Sequence, residues 1–158
     1  MKGFWFYGMA GVGKTTAAEH LASLKCNTFL IDGDVVRRYI SSDLGYSEAH
    51  REIQIGRILG ISLLAIDNHL IPVASTVFMN EQTLLAATKA GITVVEIRRN
   101  RTELVQVRSL YDGTHDNVVG ASISLPILST IKIENGKLNS FLEAIGQLLA
   151  KNNYPTSE

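Results

Sequence analysis

The sequence contains a single cysteine, Cys26, among 158 residues. A disulfide within the chain is therefore excluded, and a reducing compartment is expected. An excess of one charge is also missing, because 15 Lys and Arg residues balance 15 Asp and Glu residues. No overall field favours nucleic acid or an anionic membrane, so we expect neither as a partner. Any bound anion must be held by local charge.

The sequence also lacks a long uninterrupted apolar run. The most apolar stretch, residues 58–74, is broken by Asp67 and His69, so it does not read as a membrane span. No signal-peptide pattern precedes the glycine-rich loop that begins at Gly8. These absences together predict a cytoplasmic protein.

The order of apolar segments predicts an α/β fold. Short apolar runs predict strands at residues 3–7, 27–31, 70–76, 92–97 and 130–134. Helical spacing predicts helices at residues 15–25, 35–40, 47–67, 80–90, 101–110 and 138–151, whereas residues 111–125 read as a mobile loop. Strands that alternate with helices are typical of a parallel sheet, here within one domain over residues 1–158.

Residues 8–15 read Gly-Met-Ala-Gly-Val-Gly-Lys-Thr and match the phosphate-loop pattern G-x-x-x-x-G-K-S/T between a strand and a helix. Glycines allow consecutive backbone N–H groups to curl around a phosphate, and the helix N-terminus adds partial positive charge. Lys14 is expected on the β- and γ-phosphates of ATP, and the Thr15 hydroxyl on Mg²⁺. The predicted ATP-binding residues of this loop are Gly8, Gly11, Val12, Gly13, Lys14, Thr15 and Thr16.

A second group of polar residues follows the second predicted strand, beginning with Asp32-Gly-Asp34. A carboxylate at a strand end beside a phosphate loop is where a kinase requires its general base. Arginines that follow can hold an anionic acceptor, and Tyr46 can stack on a base. Taken alone, Asp-Gly-Asp favours helix capping beside solvated arginines, since Asp and Gly are ordinary turn residues.

The longer string resembles the adenylylsulfate kinase family, whose pattern is L-D-G-D-x-x-R, then D-L-G-F/Y-S, then R-x-x-N-I-x-R. The resemblance is specific through residues 1–75 and is traceable more weakly to residue 138. In that family, ATP phosphorylates the 3′-hydroxyl of adenosine 5′-phosphosulfate in a Mg²⁺-dependent transfer. The implied structure is the P-loop fold of the nucleotide-kinase type, with a five-stranded parallel sheet between helices.

The resemblance also implies roles for individual residues. Asp34 matches the general base, with Lys14 as its catalytic partner on the phosphates and Asp32 near the metal or the acceptor ribose. Arg108 lies near the family's arginine at the ATP adenine. On the acceptor side, the matching substrate-binding residues are Arg37 and Arg51 for the anion, Tyr46 for the base and Gln54, which stands where the family has Asn.

Three departures fall on the acceptor side. The family's Ser-Pro-Tyr/Phe-Arg motif is replaced by Val-Phe-Met-Asn at residues 77–80, and its basic Lys-Lys-Ala-Arg lid by Asp-Gly-Thr-His at residues 112–115. The second stacking aromatic falls on Val118 or Val119. We therefore expect a rebuilt acceptor pocket, which takes adenylylsulfate or a related conjugate, including one with a pyrimidine base.

Two other functions remain open at this point. One is a kinase for a different small metabolite, such as a sugar acid, on the same fold. The other is a non-catalytic nucleotide-binding subunit, against which the presence of Lys14, Thr15 and Asp34 argues. The sequence leaves the oligomeric state open, and a homodimer is compatible with it.

Overall fold

The structure is a computed structural model that describes residues 2–107, 111 and 115–151. Five strands alternate with helices: β1 (Gly3–Tyr7), β2 (Thr28–Asp32), β3 (Ile71–Thr76), β4 (Ile92–Arg98) and β5 (Ile131–Glu134). The helices are α1 (Lys14–Ser23), α2 (Gly33–Tyr39), α3 (Glu48–Asp67), α4 (Glu81–Lys89), α5 (Arg101–Val107) and α6 (Leu138–Lys151). Each predicted strand and helix is present; β1 and α6 have the predicted bounds, and the boundaries of the others are shifted. The predicted end of α5, residues 108–110, lies outside the described residues.

The strands form one parallel sheet in the order β2-β3-β1-β4-β5, which confirms the predicted α/β fold with five parallel strands. In a parallel sheet, all carboxyl ends lie along the same edge. The register brings the end of β1 beside the end of β3, with Tyr7 opposite Thr76, and the end of β2 beside β3, with Asp32 opposite Ser75. The loop after β1 therefore starts between its neighbours β3 and β4, where ligands of open α/β sheets bind.

The central strand β1 is buried at all five positions and supplies both faces of the core. Phe4 and Phe6 face a cluster built with residues of α1 and α6, whereas Trp5 and Tyr7 face a cluster built with residues of α3. Each of these four aromatic side chains is 0% exposed. Helices on both faces explain why this strand reads as a continuous apolar run rather than an alternating one.

The described part of the predicted mobile loop packs more tightly than a mobile loop would. Residues 115–125 contain no helix or strand, as predicted, but the N–H groups of Ala121, Ser122 and Ile123 all donate to the Val118 carbonyl. Val119 and Ile123 are 2% and 7% exposed and belong to the α3-side core. The sequence of this segment has no periodic apolar pattern, so the burial of these two side chains could not be predicted from it.

Across the part of the chain that the structure describes, no helix has the length and apolar character needed to cross a bilayer.

Burial of the α6 face predicts a large stability loss for Ile145→Ala. Ile145 is 0% exposed in the α1–α6 core, so truncation removes apolar contacts and leaves a cavity. We expect the free energy of unfolding to fall by about 2–5 kcal/mol, measured by urea denaturation. Leu138→Ala is the matched control, because Leu138 is 58% exposed in the same helix. Equal losses for the two variants would contradict the assigned core.

Candidate functional site

The phosphate loop depends on glycines that other residues could not replace. Gly8, Gly11 and Gly13 have φ values of +146°, +86° and +100°, which L side chains rarely adopt. A Cβ at Gly8 would collide with the carbonyl oxygen of Ile97, and one at Gly13 with the side-chain amide of Asn135. The backbone of the loop is thus pressed against β4 and the segment after β5.

Three side chains, one from the loop itself and two from distant parts of the chain, bind carbonyl groups of this loop. The Lys14 ammonium donates to the Met9 carbonyl, the Tyr111 hydroxyl to the Ala10 carbonyl and the Asn135 amide to the Val12 carbonyl, each at 2.8 Å. Helix α1 begins directly after Gly13, and no side chain in the described ranges caps it. Its first N–H groups lie at the positive end of the helix dipole, where an anion binds favourably.

The Asp32 carboxylate joins the loop to two other elements. Its Oδ1 accepts from the N–H groups of Asp34 and Val35, at 2.9 and 3.3 Å, and so caps α2. Its Oδ2 accepts from the hydroxyls of Thr15 and Ser75, at 3.2 and 3.0 Å. The capping interpretation of the Asp-Gly-Asp turn therefore holds for Asp32, and the cap explains why α2 begins at Gly33 instead of residue 35.

The same carboxylate is part of a cluster of oxygens that fits Mg²⁺. The hydroxyls of Thr15 and Ser75 and the Asp32 carboxylate are hard oxygen donors, the kind that Mg²⁺ prefers, and two or three such groups suffice because phosphate and water supply the rest. The described residues hold no group of three or more His, Cys, Asp or Glu side chains that could hold a metal. A metal at this cluster would therefore depend on phosphate oxygens, as in other phosphate-loop sites.

A cavity of about 530 Å³ opens beside the loop at the carboxyl edge of the sheet. It is lined by the loop, α2, the segment before α3, α3 itself, the end of β3 and residues 116–119. Among its lining residues are Ala10, Asp34, Arg37, Tyr46, Arg51, Gln54, Thr76, Phe78, Tyr111, Asp116, Asn117, Val118 and Val119. Its volume is in the range of small-molecule binding sites.

Arg37 and Tyr46 form one wall of this cavity. Nη1 of Arg37 donates to the carbonyls of Leu44 and Gly45, at 3.3 and 2.7 Å. Its guanidinium carbon lies 4.5 Å from the centre of the Tyr46 ring, and that of Arg51 lies 5.6 Å away. Tyr46 is 57% exposed and presents its ring to the cavity. Arg37 thus both lines the cavity and holds the segment that carries Tyr46.

Arg51 and Gln54 bring unpartnered polar atoms to the same cavity. Arg51 donates through Nη2 to the Asn117 carbonyl at 2.7 Å, and Gln54 donates through Nε2 to the Gly33 carbonyl at 3.0 Å. Nε of Arg51 and Oε1 of Gln54 are buried with no hydrogen-bond partner among the described residues. Burial, and then the nearby charge of Arg37, lower the pKa of Arg51 from its ordinary value. Buried orphan donors and acceptors of this kind are expected where a ligand completes the bonding.

The structure brings the predicted catalytic and acceptor residues to one edge of the sheet, and four predicted acceptor residues line one cavity. Both Val118 and Val119 line it, where the family resemblance placed a stacking ring. Sequence reasoning did not assign Asp116 and Asn117 to the site, because no periodic pattern marks their segment. Arg108, predicted at the ATP adenine, lies outside the described residues, as do residues 112–114 of the predicted lid.

The sequence profile of the family described as Adenylylsulphate kinase matches residues 2–104, more than half of the chain. The chain belongs to the adenylylsulphate kinase family. The family resemblance predicted from the phosphate loop and the residues after β2 is thereby confirmed.

One curated relative in this family is the adenylyl-sulfate kinase of Geotalea daltonii, 41% identical over 75 residues. Those residues are 45% of this chain and 37% of the relative, so the match spans little more than a third of the relative's length. Among solved structures, the Mycobacterium tuberculosis APS kinase CysC in complex with AMPPNP and APS has a TM-score of 0.79 at 18% identity, covering 94% of this chain and 95% of that one. A gluconokinase from Sinorhizobium meliloti has a TM-score of 0.62 at 17% identity, covering 96% and 95%. Likeness at these identities establishes the fold.

The bonding of Asp32 in this family member predicts that Asp32→Ala destabilises the protein. The change removes the cap of α2 and leaves the Ser75 hydroxyl without its acceptor, so we expect the free energy of unfolding to fall by about 1–3 kcal/mol. Urea denaturation measures the loss. Asp32→Asn is the control, because Asn also caps helices and hydroxyls can accept from its amide. A loss in the Asn variant as large as in the Ala variant would show that the carboxylate charge, not the cap, is what stabilises α2.

Proposed function

We propose that this protein is an ATP-dependent kinase that transfers the γ-phosphoryl group of ATP to the 3′-hydroxyl of a nucleoside 5′-phosphate conjugate. The acceptor is adenylylsulfate or a related conjugate, including conjugates with a pyrimidine base. The observation that carries the proposal is that the phosphate loop and Asp34 border one cavity, since Ala10 and Asp34 both line it. Membership of the adenylylsulphate kinase family supports the same reaction.

The donor side of the reaction rests on the phosphate loop. The N–H groups at the start of α1 bind phosphate oxygens, and the Lys14 ammonium moves from the Met9 carbonyl to the β- and γ-phosphates. When bound, Mg²⁺ would supply positive charge that neutralises the phosphates. Thr15, with Asp32 behind it, is the side chain that holds this ion. Together these groups stabilise the charge that spreads over the γ-phosphoryl oxygens during transfer.

Asp34 acts as the general base. It lies on the first turn of α2, is exposed to the cavity and follows the Asp32 cap that fixes the start of that helix. Its carboxylate accepts the proton of the acceptor's hydroxyl while that oxygen forms a bond to the γ-phosphorus. The bond between the γ-phosphorus and the bridging oxygen breaks, and ADP leaves.

The acceptor is held by the opposite wall of the cavity. Arg37 and Arg51 supply positive charge for the 5′-phosphate, and the exposed ring of Tyr46 supplies a stacking surface for the base. The unpartnered Nε of Arg51 and Oε1 of Gln54 provide one donor and one acceptor for ligand groups. This combination of an anion site with a base-stacking ring favours a nucleotide over a sugar acid, which has no base to stack.

The residues that differ from the family pattern narrow the range of acceptors that the cavity can bind well. Val118 and Val119 offer no second aromatic face, so a purine loses part of its stacking energy. Asp116 lines the cavity and adds negative charge, whereas the family pattern has a basic lid near this point of the chain. The negative charge weakens binding of a strongly anionic terminal group. Both differences favour a conjugate with a smaller base and a less charged end.

The base role of Asp34 predicts a rate effect rather than a binding effect. Asp34→Asn is expected to lower kcat by about 10² to 10⁴ while the KM for ATP changes little, because the phosphate loop is separate from this side chain. Steady-state kinetics with ATP and the best acceptor measure both parameters. Asp32→Asn is the comparison. If it lowers kcat more than Asp34→Asn does, the two aspartates have the opposite roles.

The missing second ring predicts a change in base selectivity. Each stacking face contributes roughly 1–3 kcal/mol, so the preference for a purine is expected to fall by at least about tenfold relative to a two-ring pocket. The measurement compares kcat/KM for adenylylsulfate with kcat/KM for cytidylyl and uridylyl conjugates, in wild type and in Val118→Phe, which supplies a ring. An adenylylsulfate preference of about a hundredfold or more in the wild type would contradict the predicted loss of purine selectivity.

A further inference from the structure

The short segment that carries Tyr46 is held from two sides. The N–H of Gly45 donates to Nδ1 of His50 at 2.8 Å, and the carbonyl of Gly45 accepts from Nη1 of Arg37 at 2.7 Å. Both polar groups of the residue directly before Tyr46 are thus engaged by side chains. The position of the Tyr46 ring depends on these two bonds, because the segment belongs to no helix or strand.

His50 is fixed by the start of α3. It is the third residue of this helix, and its N–H donates to the Ser47 hydroxyl, the N-cap, at 3.4 Å. Its Nδ1 can accept from Gly45 only when that nitrogen carries no proton, which requires the neutral ring with its hydrogen on Nε2. A protonated ring would present an N–H to the N–H of Gly45, and the bond would be lost.

We infer that His50 is a positioning residue: its unprotonated Nδ1 holds Gly45, and thereby sets the Tyr46 ring against which the acceptor's base stacks. The assignment of the ring to an acceptor rests on the proposed function, whereas the link between His50 and Gly45 does not. His50 is half-buried and does not line the cavity, so it acts through Tyr46 and not on the substrate.

The charged groups around His50 are those of α2, α3 and the segment between them. The Arg57 guanidinium, which pairs with the Asp43 carboxylate at 2.6 Å, lowers the pKa of Asp43 from its ordinary value. The charge of His50 lowers that pKa further, by a smaller amount. Arg37 approaches from α2 through the Gly45 carbonyl. Asp43 is paired with Arg57 and forms no hydrogen bond to His50 among those described. Protonation of His50 therefore acts mainly on the bond from Gly45.

This arrangement predicts pH-dependent acceptor binding. A protonated His50 ring cannot accept the bond from Gly45, so the KM for the acceptor is expected to rise by about threefold to tenfold in acid, the loss of one hydrogen bond. The KM for ATP is expected to stay constant, because the hydrogen bonds of His50 described above go to Gly45 and Ser47 and not to the phosphate loop.

The kinetic test uses two substitutions at His50. His50→Ala removes the acceptor atom and should raise the acceptor KM at every pH, with the ATP KM unchanged. His50→Asn puts an amide oxygen at the position of Nδ1, so it should keep the wild-type KM and abolish its pH dependence. His20→Ala, a change of a histidine on α1, should behave as the wild type. An acceptor KM that is equal in the wild type and His50→Ala would overturn the inference.

An NMR titration tests the same link without any substrate. The Gly45 amide resonance should shift with the same midpoint as the His50 ring proton in the wild type, and should not titrate in His50→Asn. A Gly45 amide that ignores the titration of His50 overturns the inference, whatever the activity. A normal titration in a protein that phosphorylates no nucleotide conjugate would refute the proposed function and, with it, the acceptor role of Tyr46, while leaving the His50–Gly45 link intact.

Discussion

The hydrogen bonds of the Asp32 carboxylate hold the two halves of the site in one geometry. One oxygen caps α2 and so fixes the helix that carries Asp34 and Arg37, whereas the other accepts from Thr15 of the phosphate loop and from Ser75 of β3. A carboxylate can serve all these donors because each oxygen accepts more than one bond. A single side chain at the end of β2 therefore joins the phosphate loop to the helix that carries Asp34.

The two halves are built differently. The phosphate loop lies within one short stretch of chain, and its backbone is constrained by glycines with positive φ and by close contact with β4. The acceptor wall combines α2, the segment before α3, α3, the end of β3 and residues 116–119, which come from distant parts of the chain. A site of this construction can change its acceptor through single substitutions in the distant segments while the donor loop stays the same.

The sequence predicted those parts of the structure that local chemistry determines. The phosphate loop and the parallel sheet follow from glycine spacing and alternating apolar segments, and both are present. Contacts between distant residues could not be predicted in this way. The bond from Arg51 to the Asn117 carbonyl, for example, joins residues 66 positions apart. The position of His50 beside Gly45 was missed because an isolated histidine carries no pattern.

Direct detection of the transferred phosphoryl group tests the central claim of this account, that the phosphate loop and the neighbouring cavity form one kinase site for nucleotide conjugates. The measurement is ³¹P NMR of ATP, Mg²⁺ and a panel of nucleoside 5′-conjugates and sugar acids, with wild-type protein and with Lys14→Ala. We expect one conjugate to gain a phosphate on its 3′-hydroxyl as an equal amount of ADP forms, and Lys14→Ala to slow this transfer by about a hundredfold or more. Phosphorylation of a sugar acid in place of every nucleotide conjugate would contradict it.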